Sequence, residues 1–180
     1  MILVDANLLI YAVDRDSPQH AQARRWLEAA LSGTEQIGIP WIVALAFVRI
    51  TTHPRIMRSP IDTMTALDYI DAWLRQPHVK LIGPGDTHWP ILRNLLAVSG
   101  AAGNLTSDAH LAALAIEHGA TVASADNDFR RFNGVNHINP LARQGKKRRL
   151  GMLDGKLTIP DDFNDPLPDE VIEIFEGRPR

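Results

Sequence analysis

The first dozen residues, MILVDANLLIYA, constrain this chain more than any other stretch: an apolar run is interrupted only by Asp5 and Asn7. A continuous run such as Ile2–Val4 does not alternate as a half-exposed strand does. It fits a short strand covered on both faces, as in a parallel sheet. Asp5 stands at the tip of that strand, and Asn7 follows it.

The rest of the chain repeats the theme of short apolar segments separated by helical patterns. Ala21, Trp26, Leu27, Ala30 and Leu31 form an apolar stripe, which predicts a helix over 18–33 with Ser17 as N-cap and Pro18 in the first turn. Residues 37–39 read as a second strand and Trp41–Thr51 as a helix stopped by His53-Pro54. Ala66, Leu67, Ile70 and Leu74 place a helix over 62–75, and Val79–Ile82 reads as a strand closed by Gly83-Pro84-Gly85. Helices over 87–99 and 107–118 follow, the second ended by Gly119. Residues 121–124 form a strand of small side chains, with Asp126 at its carboxyl end. Strands alternating with helices predict an α/β fold, a parallel sheet flanked by helices.

With 180 residues the chain holds one well-cored domain and a short appendage. Its 19 basic and 21 acidic side chains leave a net charge of -2, so a nucleic-acid partner has to be met by a local basic patch. The absence of cysteine excludes disulfides and thiolate chemistry and suits a reducing cytoplasm. No apolar run reaches membrane length, and no basic segment precedes the first one, as a signal peptide would require.

Ligands of an open α/β sheet gather beyond the carboxyl ends of its strands. Asp5 and Asp126 both follow strands, and Asp108 stands near the start of a helix, after Asn104, Thr106 and Ser107. Three carboxylates brought together repel unless a hard divalent cation neutralises them, and such an ion activates water and polarises phosphate. Each aspartate has a plainer reading. Asp5 is equally a turn former or cap, Asp108 a partner of the helix dipole, and Asp126 part of an Asx-turn in Asp-Asn-Asp.

Four stretches tip the balance: MILVDANLLIYAVD, WIVALAFVRITTHPRI, NLTSDAHLAALAIEHGATVASADNDFRRF and HINPLA. In order and content, residues 1–141 resemble the PIN-domain ribonucleases, most closely the VapC-type toxins of bacterial toxin–antitoxin systems. The resemblance implies a PIN-like fold, a homodimer, and cleavage of RNA dependent on Mg²⁺ or Mn²⁺. It assigns metal-ligating and catalytic roles to Asp5, Asp108 and Asp126, and gives Asn7 the place of a small polar residue that helps position a ligand or water. One departure stands out: many family members carry a glutamate in the helix that reads ALAFVRI here, and the nearest position is Ala46. Asp14, Asp16 and Asp128 are the acids weighed as its replacement, and the sequence favours none of them.

Arg49, Arg130 and Arg131 are the arginines best placed for phosphate contacts, which fix register without reading sequence. Trp41, Trp73 and Trp89 read as core or dimer packing, and no histidine spacing suggests a ligand.

After residue 141 the composition changes. A basic linker over 142–150, RQGKKRR within it, leads to a segment over 151–180 rich in proline and acid. That segment resembles the toxin-binding end of the small antitoxins of the Phd/YefM and VapB types. The resemblance implies an extended arm with a short helix over 168–176, which docks on the toxin domain through Phe163, Ile172 and Phe175. Arg148, Arg149 and Lys156 are its candidates for insertion into the acidic site. The expected function is a metal-dependent endoribonuclease toxin restrained by its own tail. The competing readings are a nuclease or phosphatase acting on other substrates, and a binding partner disabled by Ala46.

Overall fold

The structure is a computed structural model, and it describes residues 1–99 and 105–142. The expected tail arm, its helix over 168–176 and the linker residues beyond 142 lie outside the described residues.

Five parallel strands form one sheet: β1 (Ile2–Val4), β2 (Ile37–Pro40), β3 (Val79–Ile82), β4 (Thr121–Ala123) and β5 (Asn136–Ile138), in the order β3-β2-β1-β4-β5. Among the described residues six helices flank it: α1 (Ala6–Val13), α2 (His20–Leu31), α3 (Trp41–Thr51), α4 (Thr63–Leu74), α5 (His88–Ser99) and α6 (Thr106–Glu117). A 3₁₀ turn covers Asp128–Arg131. No helix among the described residues is long and apolar enough to cross a membrane.

β1 is the centre of the sheet. Leu3 is in register with Gly38 on one side and Val122 on the other. Leu3, Val4, Val122 and Ala123 are completely buried, which accounts for the unbroken apolar run. Gly38 is required by its neighbours: a Cβ there would collide with Leu3 Cδ2 and lie 2.7 Å from Ile82 Cγ1. Across α3 and α4, Phe47 packs edge-on against Trp73 at 5.0 Å between ring centroids.

The order of strands carries the functional geometry. From β1 the chain winds outward through β2 to β3, then returns to the other side of β1 for β4 and β5. The reversal opens a crevice between the carboxyl ends of β1 and β4, where Asp5 and Ser124 emerge.

Several elements differ from the sequence-based expectations. The apolar residues after Asp5 form α1, an eight-residue helix whose N-cap is Asp5 itself. In place of a helix from Pro18, Ser17 Oγ accepts the Gln19 N–H at 3.2 Å, a local turn forms, and α2 begins at His20. α6 does end as expected at Gly119, whose φ of 58° lets the Ala120 N–H reach the Ala115 carbonyl at 2.8 Å. The tryptophans divide: Trp73 is buried, whereas Trp41 and Trp89 are exposed.

Candidate active site

Asp5 is held from three directions. Its Oδ1 accepts the Ala6 N–H at 2.6 Å, and its Oδ2 accepts the Asn7 amide at 2.7 Å and the Ser124 hydroxyl at 2.6 Å. The same hydroxyl oxygen accepts a second Asn7 amide hydrogen at 2.9 Å and the Asp126 N–H at 2.9 Å. Asn7 Oδ1 in turn accepts the Ala125 N–H at 3.2 Å. One network therefore ties the end of β1, the first turn of α1 and the segment leaving β4. On the far side, Asn139 donates to the Ala125 carbonyl at 2.9 Å, so the segment is clamped from β5 as well. Ser124 is completely buried, as a hub of this kind has to be.

Carboxylates crowd the mouth of the crevice. Asp108, in the first turn of α6, Asp126 and Asp128 each offer an oxygen, and these lie within 4.8 Å of one another. Asp5 faces the same space but is not part of that tight trio. Burial raises the Asp5 carboxyl above its ordinary pKa, against the hydrogen bonds from Ser124 and Ala6, and the charge of Asp126 raises it further. Asp108 is pushed up to about 6, first by desolvation and then by the charges of Asp5, Asp126 and Asp128, with Arg131 opposing. Carboxylates that hold protons this strongly are poised for a cation. The all-oxygen donor set, partly open to solvent, fits a hard divalent ion such as Mg²⁺ or Mn²⁺.

The sequence-predicted residues are thus brought to one place: Asp5, Asn7, Asp108 and Asp126 share it. Asp14 and Asp16 do not. Asp14 caps the opposite end of α1, about 13 Å along the helix axis from Asp5 at 1.5 Å per residue. Asp128, weighed from sequence as a stand-in for the missing glutamate, joins the trio. Ser124, the hub, was not singled out beforehand. Its one sequence signal is position, the last small residue of a strand two places before Asp126.

Of the arginines, Arg131 is engaged with Asp128 at 2.8 Å, at the edge of the trio, while Arg130 beside it is exposed. Arg49 lines the cleft that opens beside Asp5 and Asp108, as does Ala46. Arg148, Arg149, Lys156, Phe163, Ile172 and Phe175 lie outside the described residues.

A second polar cluster braces α6. Glu117 accepts the Gly85 N–H at 3.0 Å, and the Thr87 N–H and hydroxyl at 3.1 and 2.8 Å, which together outweigh its burial and lower its pKa. Buried His88 meets His110 at 2.8 Å between Nε2 and Nδ1. These contacts fix the start of α5 against α6, the helix that presents Asp108.

Comparison with known proteins agrees with this architecture. The PIN domain family model matches residues 2–135. Ribonuclease VapC37 of Mycobacterium tuberculosis is 43% identical over 142 residues, which span 79% of this chain and 99% of that protein. Ribonuclease VapC33 of the same organism is 40% identical over 141 residues, 78% of this chain and 99% of the relative. Among solved structures, a chain of VapBC2 from Rickettsia felis, bound to a DNA fragment from its promoter, superposes with a TM-score of 0.58. The sequence identity is 19%, with 77% of this chain and 98% of that one covered. Mycobacterium tuberculosis VapC20, described as a sarcin-ricin loop cleaving toxin, gives a TM-score of 0.54 at 16% identity, covering 76% of this chain and 99% of its own. The parallel sheet, the crevice at its reversal point and these matches together establish that the chain belongs to the PIN-domain family, among its VapC-type members.

Proposed function

We propose that this protein is an endoribonuclease toxin of a toxin–antitoxin system, dependent on Mg²⁺ or Mn²⁺ and restrained by its own C-terminal segment. The observation that carries the reading is the trio Asp108, Asp126 and Asp128, set beside the anchored Asp5 in a chain 43% identical to a VapC ribonuclease.

Asp108, Asp126 and Asp128 would hold the ion, with Asp5 beside them. Bound there, a divalent cation supplies Lewis-acid polarisation of the scissile phosphate and acidifies attacking water. The chain's own residues do the rest. Ser124 and Asn7 keep Asp5 in one rotamer, so the acid edge is formed before substrate arrives. α6 presents Asp108 from its first turn, and Glu117 and His88 keep that helix in place. Arg49, which lines the cleft with Asp5 and Asp108, and exposed Arg130, two residues after Asp128, offer charge to the RNA backbone.

The domain reading rests on length as well. A match of 142 residues takes in 99% of VapC37 but only 79% of this chain. Residues 143–180 are additional, and their resemblance to antitoxin segments makes an inhibitory partner in cis the simplest account. A structural neighbour from Klebsiella pneumoniae is a toxin-antitoxin complex, which supports an antitoxin-like partner here. Exposed Trp41 and Trp89 support a homodimer, and the lack of cysteine supports a cytoplasmic setting.

Expression of residues 1–141 in cells, with the ends of total RNA mapped, tests the reading directly. Growth arrest and discrete new RNA ends are expected, both absent for Asp5→Asn and both reduced when residues 143–180 are retained. Cleavage by the intact chain but not by residues 1–141 would remove the autoinhibitory tail. A second reading, a non-catalytic binding partner, is favoured only by Ala46. It requires that residues 1–141 neither bind Mn²⁺ nor cut RNA.

A further inference from the structure

We propose that the cleft beside the acidic residues is a pocket for one unstacked nucleobase of the RNA, with Ala46 making the room; this deepens the ribonuclease reading and rests on it. The argument starts from α3. Its sequence, WIVALAFVRIT, carries two apolar stripes where packing needs one. Val43, Ala44, Phe47 and Thr51 form the buried stripe that serves the core. Ile42, Leu45, Ala46 and Arg49, spaced as i, i+3, i+4 and i+7, instead line a cleft whose other wall is Ser107, Asp108 and Leu111 of α6. Leu45 is 65% exposed, a large apolar side chain with no packing duty.

The cleft holds about 340 Å³, within the range of roughly 300–1,000 Å³ that small-ligand sites occupy. Its chemistry selects among the parts of a nucleotide. Phosphate is repelled by Asp5 and Asp108 wherever no cation intervenes, and it gains nothing from leucine and isoleucine. A flat base gains from exactly those walls, and sequence-reading proteins splay single-stranded bases into such places. Arg49, which makes no ion pair among the described residues, lines the cleft with an exposed side chain, where the phosphate beyond that base would pass. Ala46 contributes only a methyl group to the wall. A strand laid with its scissile phosphate at the trio therefore has an apolar recess for the adjoining base and a cation for the next phosphate.

The test is a coupling measurement on the intact chain and on residues 1–141, whose length matches that of the family's own members. The probe is a labelled RNA oligonucleotide spanning a cleavage site mapped in total RNA, with single abasic substitutions at each flanking position. One abasic position is expected to raise KM about tenfold. Ala46→Leu, which fills the recess, is expected to raise KM for the unmodified RNA about as much, and Leu45→Ala to raise it less, with kcat little changed. Combining Ala46→Leu with the abasic RNA should cost no more than either alone. Leu45 is exposed, so its variant spares the fold, and melting temperatures are measured for both. Independent, multiplying effects, or no sensitive abasic position, would overturn the pocket while leaving the nuclease standing. Competition for the same cleft by a synthetic peptide of residues 151–180, with no abasic effect, would assign it to the tail instead. If neither form of the chain cuts the RNA, the ribonuclease reading falls and the pocket with it.

Discussion

Ser124 donates its hydroxyl hydrogen to Asp5 Oδ2 at 2.6 Å, joining two residues 119 positions apart across the central strands. Ser124 is completely buried, and its partner is an acid whose pKa is already raised by burial. Ser124 thus decides how Asp5 stands before any cation or RNA arrives.

Ser124→Ala leaves Asp5 Oδ2 with Asn7 alone and deprives the Asp126 N–H of its acceptor. A hydrogen bond to a charged group contributes about 1.5–3 kcal/mol, so a loss of stability of that order is expected in urea unfolding. Supporting groups behind metal ligands typically change affinity about 10–100-fold. Titration calorimetry with Mn²⁺ should show a fall in that range, and unchanged affinity would reduce Ser124 to a packing residue.

Asp108 predicts an inverted pH response. Its folded pKa is raised to about 6 from an ordinary value of 3.8, so the folded state binds the proton more tightly than the unfolded state. Its contribution to stability is full below the unfolded value and is lost as pH rises through about 6. Asp108→Asn is therefore expected to raise the melting temperature of the cation-free protein above pH 6, with the gap closing toward acid. The same substitution should abolish the stabilisation that Mn²⁺ confers, and wild-type Mn²⁺ affinity should weaken as pH falls through about 6. Calorimetry over a pH series, with and without Mn²⁺, reads both.

Ala46→Glu adds a carboxylate to the cleft that Asp5 and Asp108 already share. Ligand charge governs affinity for hard cations, and another negative charge nearby is expected to tighten Mn²⁺ binding about tenfold. Without the cation the added repulsion should lower the melting temperature. Tighter binding would make the missing glutamate a matter of affinity, whereas unchanged binding would place Ala46 outside the ion's reach.

Gly38→Ala tests the sheet rather than the site. A methyl group there meets Leu3 and Ile82 side chains closer than contact distance, and overpacking of this kind costs about 1–3 kcal/mol. Because Leu3 precedes Asp5 by two residues, reduced Mn²⁺ affinity in a still-folded variant would show strain passing from the sheet to the site.

Most of the scaffold was legible because burial and periodicity are local. Ile2–Val4, Trp41–Thr51 and Val79–Ile82 occupy the residues that their patterns assigned. α1 was not legible, because LLIYAV is apolar all round and carries no period that separates helix from strand. β5 was missed for the opposite reason: NHI is too polar to read as a strand, and it is held as an edge by backbone pairing to β4. The site divides in the same way. Family resemblance pointed to Asp5, Asp108 and Asp126, but Ser124 and Asp128 have meaning only through partners brought near by the fold. His88 and Glu117 are likewise distant in sequence from the contacts they make.

The pairing of β1 with β4 also has a consequence in time. Asp5 leaves the ribosome more than a hundred residues before Ser124 and Asp126. Until β4 slots in beside β1, the amino-terminal part of the chain has an aspartate without its hydroxyl partner, and α6 has no sheet to rest on. A chain that cuts RNA is made on a machine built of RNA, and here the cutting edge closes only after more than a hundred residues beyond Asp5 have been added.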